Sequence, residues 1–90
     1  MIDGLEYETK MKNEICHIID LHISGDISVI GVEIRINELI KCNAINNMIK
    51  IIDFDTFALV YGYLVDIEQR LDEPNATESL IHYKNVMLNW

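Results

Sequence analysis

The chain has 90 residues, half of them hydrophobic and 16 of them isoleucine, and its 15 acids against 7 bases give a formal charge of −8. That length makes one domain, residues 1–90, and that hydrophobic content excludes the apolar-poor, charge-rich composition of a disordered chain. The acidity argues against nucleic acid or an anionic membrane as partner and for a basic protein.

The opening residues, Met1 to Glu6, lack the basic and apolar regions of a signal peptide. Apolar runs such as Phe57 to Tyr61 are far shorter than the ~18 residues of a membrane span. Cys16 and Cys42 are too few for a disulfide framework, so free buried thiols and a cytoplasmic location are expected.

In chain order, Asp3 and Glu6 have capping-box spacing and predict a helix running to about Ile23. Tyr7, Met11, Ile15, Ile18, Ile19, His22 and Ile23 share one side of it. Ser24-Gly25-Asp26 should stop that helix, with Gly25 left-handed and Asp26 as the next N-cap.

Residues 27–42 admit two readings. Ile30, Val32, Ile34 and Ile36 alternate as in a strand, and β-branched residues dominate. As a helix, Val29, Val32, Ile36, Leu39 and Ile40 form an apolar face interrupted by Glu33 and Asn37. The helix is the better expectation, because no second strand of equal quality is there to pair with it. The strand stays open if two chains pair through it.

Asn43 to Asn47 read as a loop or frayed end, followed by a short helical segment at 48–52. Asp53 to Thr56 form an N-cap cluster for a helix reaching about Glu73. Its buried arc is expected to hold Phe57, Val60, Tyr61, Leu64, Val65, Ile67 and Leu71, and its wet arc Leu59, Gly62, Tyr63, Asp66, Gln69, Arg70 and Glu73. Glu68 falls within the buried arc, reaching past the helix end into solvent, pairing with Arg35 or Lys41, or facing a partner. Pro74 ends this helix, and Asn75 with Glu78 repeats the capping-box spacing. A last helix, about Ala76 to Leu88, should bury Leu80, Ile81, Tyr83, Met87 and Leu88. The sum is an all-α bundle of four main helices.

No metal or catalytic pattern emerges. Cys16, His17, His22, Cys42 and His82 lack zinc-ligand spacing, and no nucleophile motif accompanies either thiol. Neither an enzyme nor a cofactor is expected. The acids are concentrated instead: seven of them and one base, Arg70, lie between Asp53 and Glu78, a net −6 that leaves −2 for the rest. Within that stretch Leu59 and Tyr63 stand one turn apart on the wet face, beside Asp66 and Glu73. Apolar anchors with a charged rim are the anatomy of a protein interface. Leu59, Tyr63, Asp66, Asp72 and Glu73, with Asp53 and Asp55, are therefore the expected partner-binding residues. Self-association into a homodimer through the same stripe is the competing expectation.

The pattern Ile18-Ile19-Asp20-Leu21-His22-Ile23, the Ser24-Gly25-Asp26 turn, and Glu33 with Asn37-Glu38-Leu39 in the second helix resemble small acidic immunity proteins of contact-dependent and Maf-type bacterial toxin systems. The resemblance covers roughly residues 13–42 and transfers no functional residue. It implies a cytoplasmic inhibitor that neutralises a toxin domain, often a basic nuclease. A phage or mobile-element protein that blocks a host nucleic-acid enzyme is the alternative expectation, and a structural homo-oligomer the second.

Overall fold

The computed structural model describes residues 4–48 and 54–89, with the backbone alone at 46–48. Four helices fill it: α1 (Gly4–Ile23), α2 (Val29–Met48), α3 (Phe54–Arg70) and α4 (Ala76–Leu88). The fold is an all-α four-helix bundle in which α2 packs most extensively on α3, and α1 on α4.

α1 buries Tyr7, Met11, Ile15, Ile18 and Ile19, the face that its 3.6-residue spacing dictates. His22 and Ile23, expected on that face, sit at its edge, half-buried and exposed. The helix closes in a Schellman motif. Gly25 takes φ +87°, the Asp26 N–H donates to the Leu21 carbonyl at 2.9 Å, and the Gly25 N–H donates to the His22 carbonyl at 3.1 Å. Asp26 is not the next N-cap. Its carboxylate accepts from the Ser24 hydroxyl at 3.0 Å, and Ser28 caps α2 by accepting from the Gly31 N–H at 3.3 Å.

Of residues 27–42, all from Val29 onward are helix, and the strand-like alternation divides between two faces of it. Val32 and Ile36 turn into the core, fully buried, while Ile30 and Ile34 point away from it. α2 then runs on through the asparagines, so the loop expected at 43–47 is helical. The reason is Asn43, which is fully buried: its Oδ1 accepts from the Tyr7 hydroxyl at 2.9 Å, and its Nδ2 donates to the Phe57 carbonyl at 3.3 Å. Asparagine here is a core residue with partners on α1 and α3. Of the segment expected at 48–52, only Met48 is described, and it belongs to α2. Asp3 and Asp53, the expected first caps of α1 and α3, lie outside the described residues.

α3 buries Val60, Leu64, Ile67 and, just past its end, Leu71. It stops at Arg70, three residues early, where Leu71 and Glu73 close tight turns onto the Glu68 and Arg70 carbonyls. Pro74 cannot continue the ladder. The centre of the buried set Thr56, Val60, Leu64, Ile67 and Leu71 falls on Val60 and puts Tyr63 about 60° from it and Tyr61 about 100°. Their expected roles are accordingly exchanged: Tyr63 packs half-buried against the core, and Tyr61 is exposed. Tyr61 instead stacks on Phe57, with centroids 5.6 Å apart.

α4 buries Ala76, Leu80, Tyr83 and Met87. Ile81 and Leu88, expected inside, are exposed, because they lie more than about 100° round the helix from the stripe of Ala76, Leu80, Tyr83 and Met87. Asn75 makes no side-chain cap bond, so the second capping box is not formed.

The Tyr7, Asn43 and Phe57 bridge should behave as one unit. Tyr7→Phe and Asn43→Leu each cost about 1–3 kcal/mol, since each strands a buried polar group. The double variant should cost less than the sum, by about 0.5–2 kcal/mol, in urea unfolding followed by circular dichroism. Additive losses would mean the bridge carries no coupling.

Candidate functional site

The outer flank of α3 holds a shallow, open groove of about 540 Å³ lined by Ala58, Leu59, Gly62, Tyr63, Asp66 and Gln69. Five of these, all but Ala58, belong to the wet arc expected from sequence, and the groove is the concavity they make. Leu59 is exposed, Tyr63 forms a half-buried wall, and Gly62 is the floor between them. A Cβ at Gly62 would meet nothing within 4 Å, so the floor is open space. Glycine costs a helix about 0.5–1 kcal/mol relative to alanine, and here no packing constraint within the chain requires it.

The acids around the groove differ in what holds them. The Asp66 carboxylate accepts the Tyr83 hydroxyl hydrogen bond, tying α3 to α4, and lies 4.0 Å from the Arg70 Nε. Arg70 also reaches Glu73 at 3.8 Å. Asp66 is thus a structural residue as well as a rim acid. Arg70 offsets part of the field on this side. These are exposed ion pairs, worth about 0–1 kcal/mol each, so an incoming cation can displace Arg70 at little expense. Asp55 and Asp72 are exposed, on the first turn of α3 and in the turn after it. Asp72 and Asp55 do not line the groove. Asp53 lies outside the described residues. Glu68 is half-buried, and among the described residues it pairs with neither Arg35 nor Lys41.

The residues weighed for chemistry do not converge. Among the described residues, no three His, Cys, Asp or Glu side chains are grouped to hold a metal ion. Cys16 is half-buried against the core, and burial, with Asp20 adding to it, pushes its thiol pKa up. Cys42 is exposed, contrary to the expectation that both thiols are buried. His22 has a structural partner set: Nδ1 lies 3.0 Å from the Ile27 carbonyl and Nε2 lies 2.9 Å from the Thr77 hydroxyl. A carbonyl only accepts, so Nδ1 carries the proton, and Nε2 pairs with the Thr77 hydroxyl, a group able to donate or accept. That residue pins the turn after α1 to the start of α4. His17 and His82 are exposed. No helix among the described residues is long and apolar enough to cross a membrane.

Comparison with protein-family models, with curated proteins and with solved structures yields no match.

The two thiols should separate cleanly in alkylation. Cys42 reacts with iodoacetamide first, and Cys16, protonated and half-buried, reacts several-fold more slowly at pH 8 until the chain is unfolded in urea. Mass spectrometry of the time course reads both rates, and equal rates in the native state would contradict the assignment.

Proposed function

We propose that this chain is a non-enzymatic binding protein that neutralises a basic protein, in the manner of a toxin-immunity protein, through the α3 groove. One observation carries the reading: an apolar floor and the Asp66 carboxylate meet in one concavity, in the most acidic part of an acidic chain. From Phe54 to Glu78 there are six acids and one base. Such a groove fits a lysine or arginine side chain from the partner. Its aliphatic stem lies along Leu59 and the open floor at Gly62. Its cationic head meets Asp66 and the face of Tyr63, a cation–π arrangement worth about 0.5–2 kcal/mol. Asp72, Glu73 and Asp55 lie outside this contact and act at longer range, raising the association rate toward a basic surface. A nuclease holds a polyanion in a basic cleft, which makes it the partner class with the right complementarity.

The groove's own chemistry points to binding. Among its lining residues there is no thiol and no histidine, and its three polar side chains are a phenol, a carboxylate and an amide.

The test is titration calorimetry against the basic protein encoded beside this chain's gene. A 1:1 complex is expected whose affinity falls about tenfold or more on Leu59→Ala and whose association slows on Glu73→Lys. Asp66 is left intact because its loss also unlinks α4. Gly62→Ala separates stability from binding: the chain should gain about 0.5–1 kcal/mol in folding while the added methyl in the floor weakens the complex. Full affinity in both Leu59→Ala and Gly62→Ala would remove the groove from the interface.

A further inference from the structure

The exposed face of α3 extends past the groove. Phe54 and Tyr61 are 72% and 42% exposed, on the flank of the helix opposite Leu59. Their rings are joined through that of Phe57, at centroid separations of 6.3 Å and 5.6 Å. Side chains on a helix form rows four residues apart. Asp55, Leu59 and Tyr63 make one such row on α3, and Phe57, Tyr61 and Val65 make another. Between them runs the row of Phe54, Ala58, Gly62 and Asp66. Ala58 and Gly62 are the small members, so this row is a valley between two ridges, with the Phe54 ring at one end and the Asp66 carboxylate at the other. The groove is this valley with its Leu59 and Tyr63 wall. The aromatic ridge is its second wall, on the far side.

We infer that this face seats an amphipathic helix of a basic protein, crossing α3 at about −50° with a row of its apolar side chains in the valley. The inference rests on the reading of α3 as a partner-binding helix, and adds to it the element by which the partner is recognised. Two arguments fix the occupant. The face of a helix offers no free backbone N–H or C=O, so a segment buried on it must satisfy its own backbone, which a single segment does only as a helix. Charge decides the rest. Asp55 and Asp66 are the only charged residues on the three rows, and from Phe54 to Glu78 six acids stand against one base. A second copy would set that excess against itself. A helix with lysine or arginine flanking its apolar row meets Asp55 toward one end and Asp66 at the other. Gly62, near the middle of the valley, lets the two backbones approach more closely than a side chain there would allow.

Fluorescence anisotropy of the full chain with two labelled peptides of leucine and lysine tests this. Each has about 18 residues, one with its leucines at helical spacing and one with the same composition scrambled to break that spacing. The helical peptide should bind in the micromolar range, about tenfold or more tighter than the scrambled one. Phe54→Ser and Tyr61→Ser should each weaken it about fivefold or more, with the helical circular dichroism unchanged because both side chains are exposed. No binding of the helical peptide overturns the inference. So does equal binding of the two peptides, because charge alone then suffices. Weakening by Leu59→Ala with none from Phe54→Ser or Tyr61→Ser overturns it as well, and leaves the groove as the whole site. Sedimentation equilibrium of the chain alone should give 10.4 kDa. A dimer that Phe54→Ser dissociates would assign the face to a second copy and overturn the inference. The peptides stand in for no particular protein, so failure to neutralise the protein encoded next door would leave these outcomes as they are.

Discussion

The bundle depends on one buried polar contact. Tyr7, Asn43 and the Phe57 carbonyl form a chain of hydrogen bonds through the interior, linking α1, α2 and α3. An amide in an apolar core is costly unless its donors and acceptors are met. Sliding α2 by one residue along α3 would break both contacts and strand three polar groups. Hydrophobic packing alone is more permissive, because isoleucine can repack against isoleucine. The bridge therefore selects a register that a core rich in isoleucine leaves loosely defined. It also holds the last turns of α2 in helical form, where asparagines would otherwise favour a loop.

The fourth helix is attached differently. Its polar links to the rest are at the rim: Lys84 to Asp20, Thr77 to His22, and Tyr83 to Asp66. Exposed pairs of that kind contribute about 0–1 kcal/mol each, so α4 is held chiefly by Leu80, Tyr83 and Met87 in the core. Tyr83 does both, with its ring buried and its hydroxyl on Asp66. The groove on α3 is thereby supported from behind by α4, and Asp66 is oriented before any partner arrives.

Much of this was legible in the sequence, for identifiable reasons. Gly25 was readable because a left-handed residue after an amphipathic run has few alternatives to glycine. The faces of α1 and most of α3 followed from periodicity. The failures have a common origin in tertiary context. Asn43 has the local preferences of a loop residue, and only Tyr7, 36 positions away, makes it a core residue. Tyr61 and Tyr63 are two residues apart near the edge of one arc, and a rotation of a few tens of degrees decides which is wet. Asp26 and Ser28 are equally good caps by composition, and the Ser24 hydroxyl takes one of them out of use. Of the groove's lining, Leu59, Tyr63 and Asp66 are placed on one face by spacing alone. The open floor at Gly62 and the Tyr83 partner of Asp66 needed coordinates.

The distribution of charge sets how far the groove's field would reach. α3 and the turn before α4 carry −4 of the chain's −8, from Asp55, Asp66, Glu68, Asp72 and Glu73 against Arg70, while α2 is neutral, with Glu33 and Glu38 against Arg35 and Lys41. Such a field falls off over about 8–10 Å at physiological salt, so a basic partner of the proposed kind would respond to the acids near the groove and not to the chain's total. Arg70 stands among those acids and pairs with Asp66 and Glu73. Exposed pairs of that kind are weak, so an arriving cation could take the place of Arg70 on Asp66 while Tyr83 keeps the carboxylate in position.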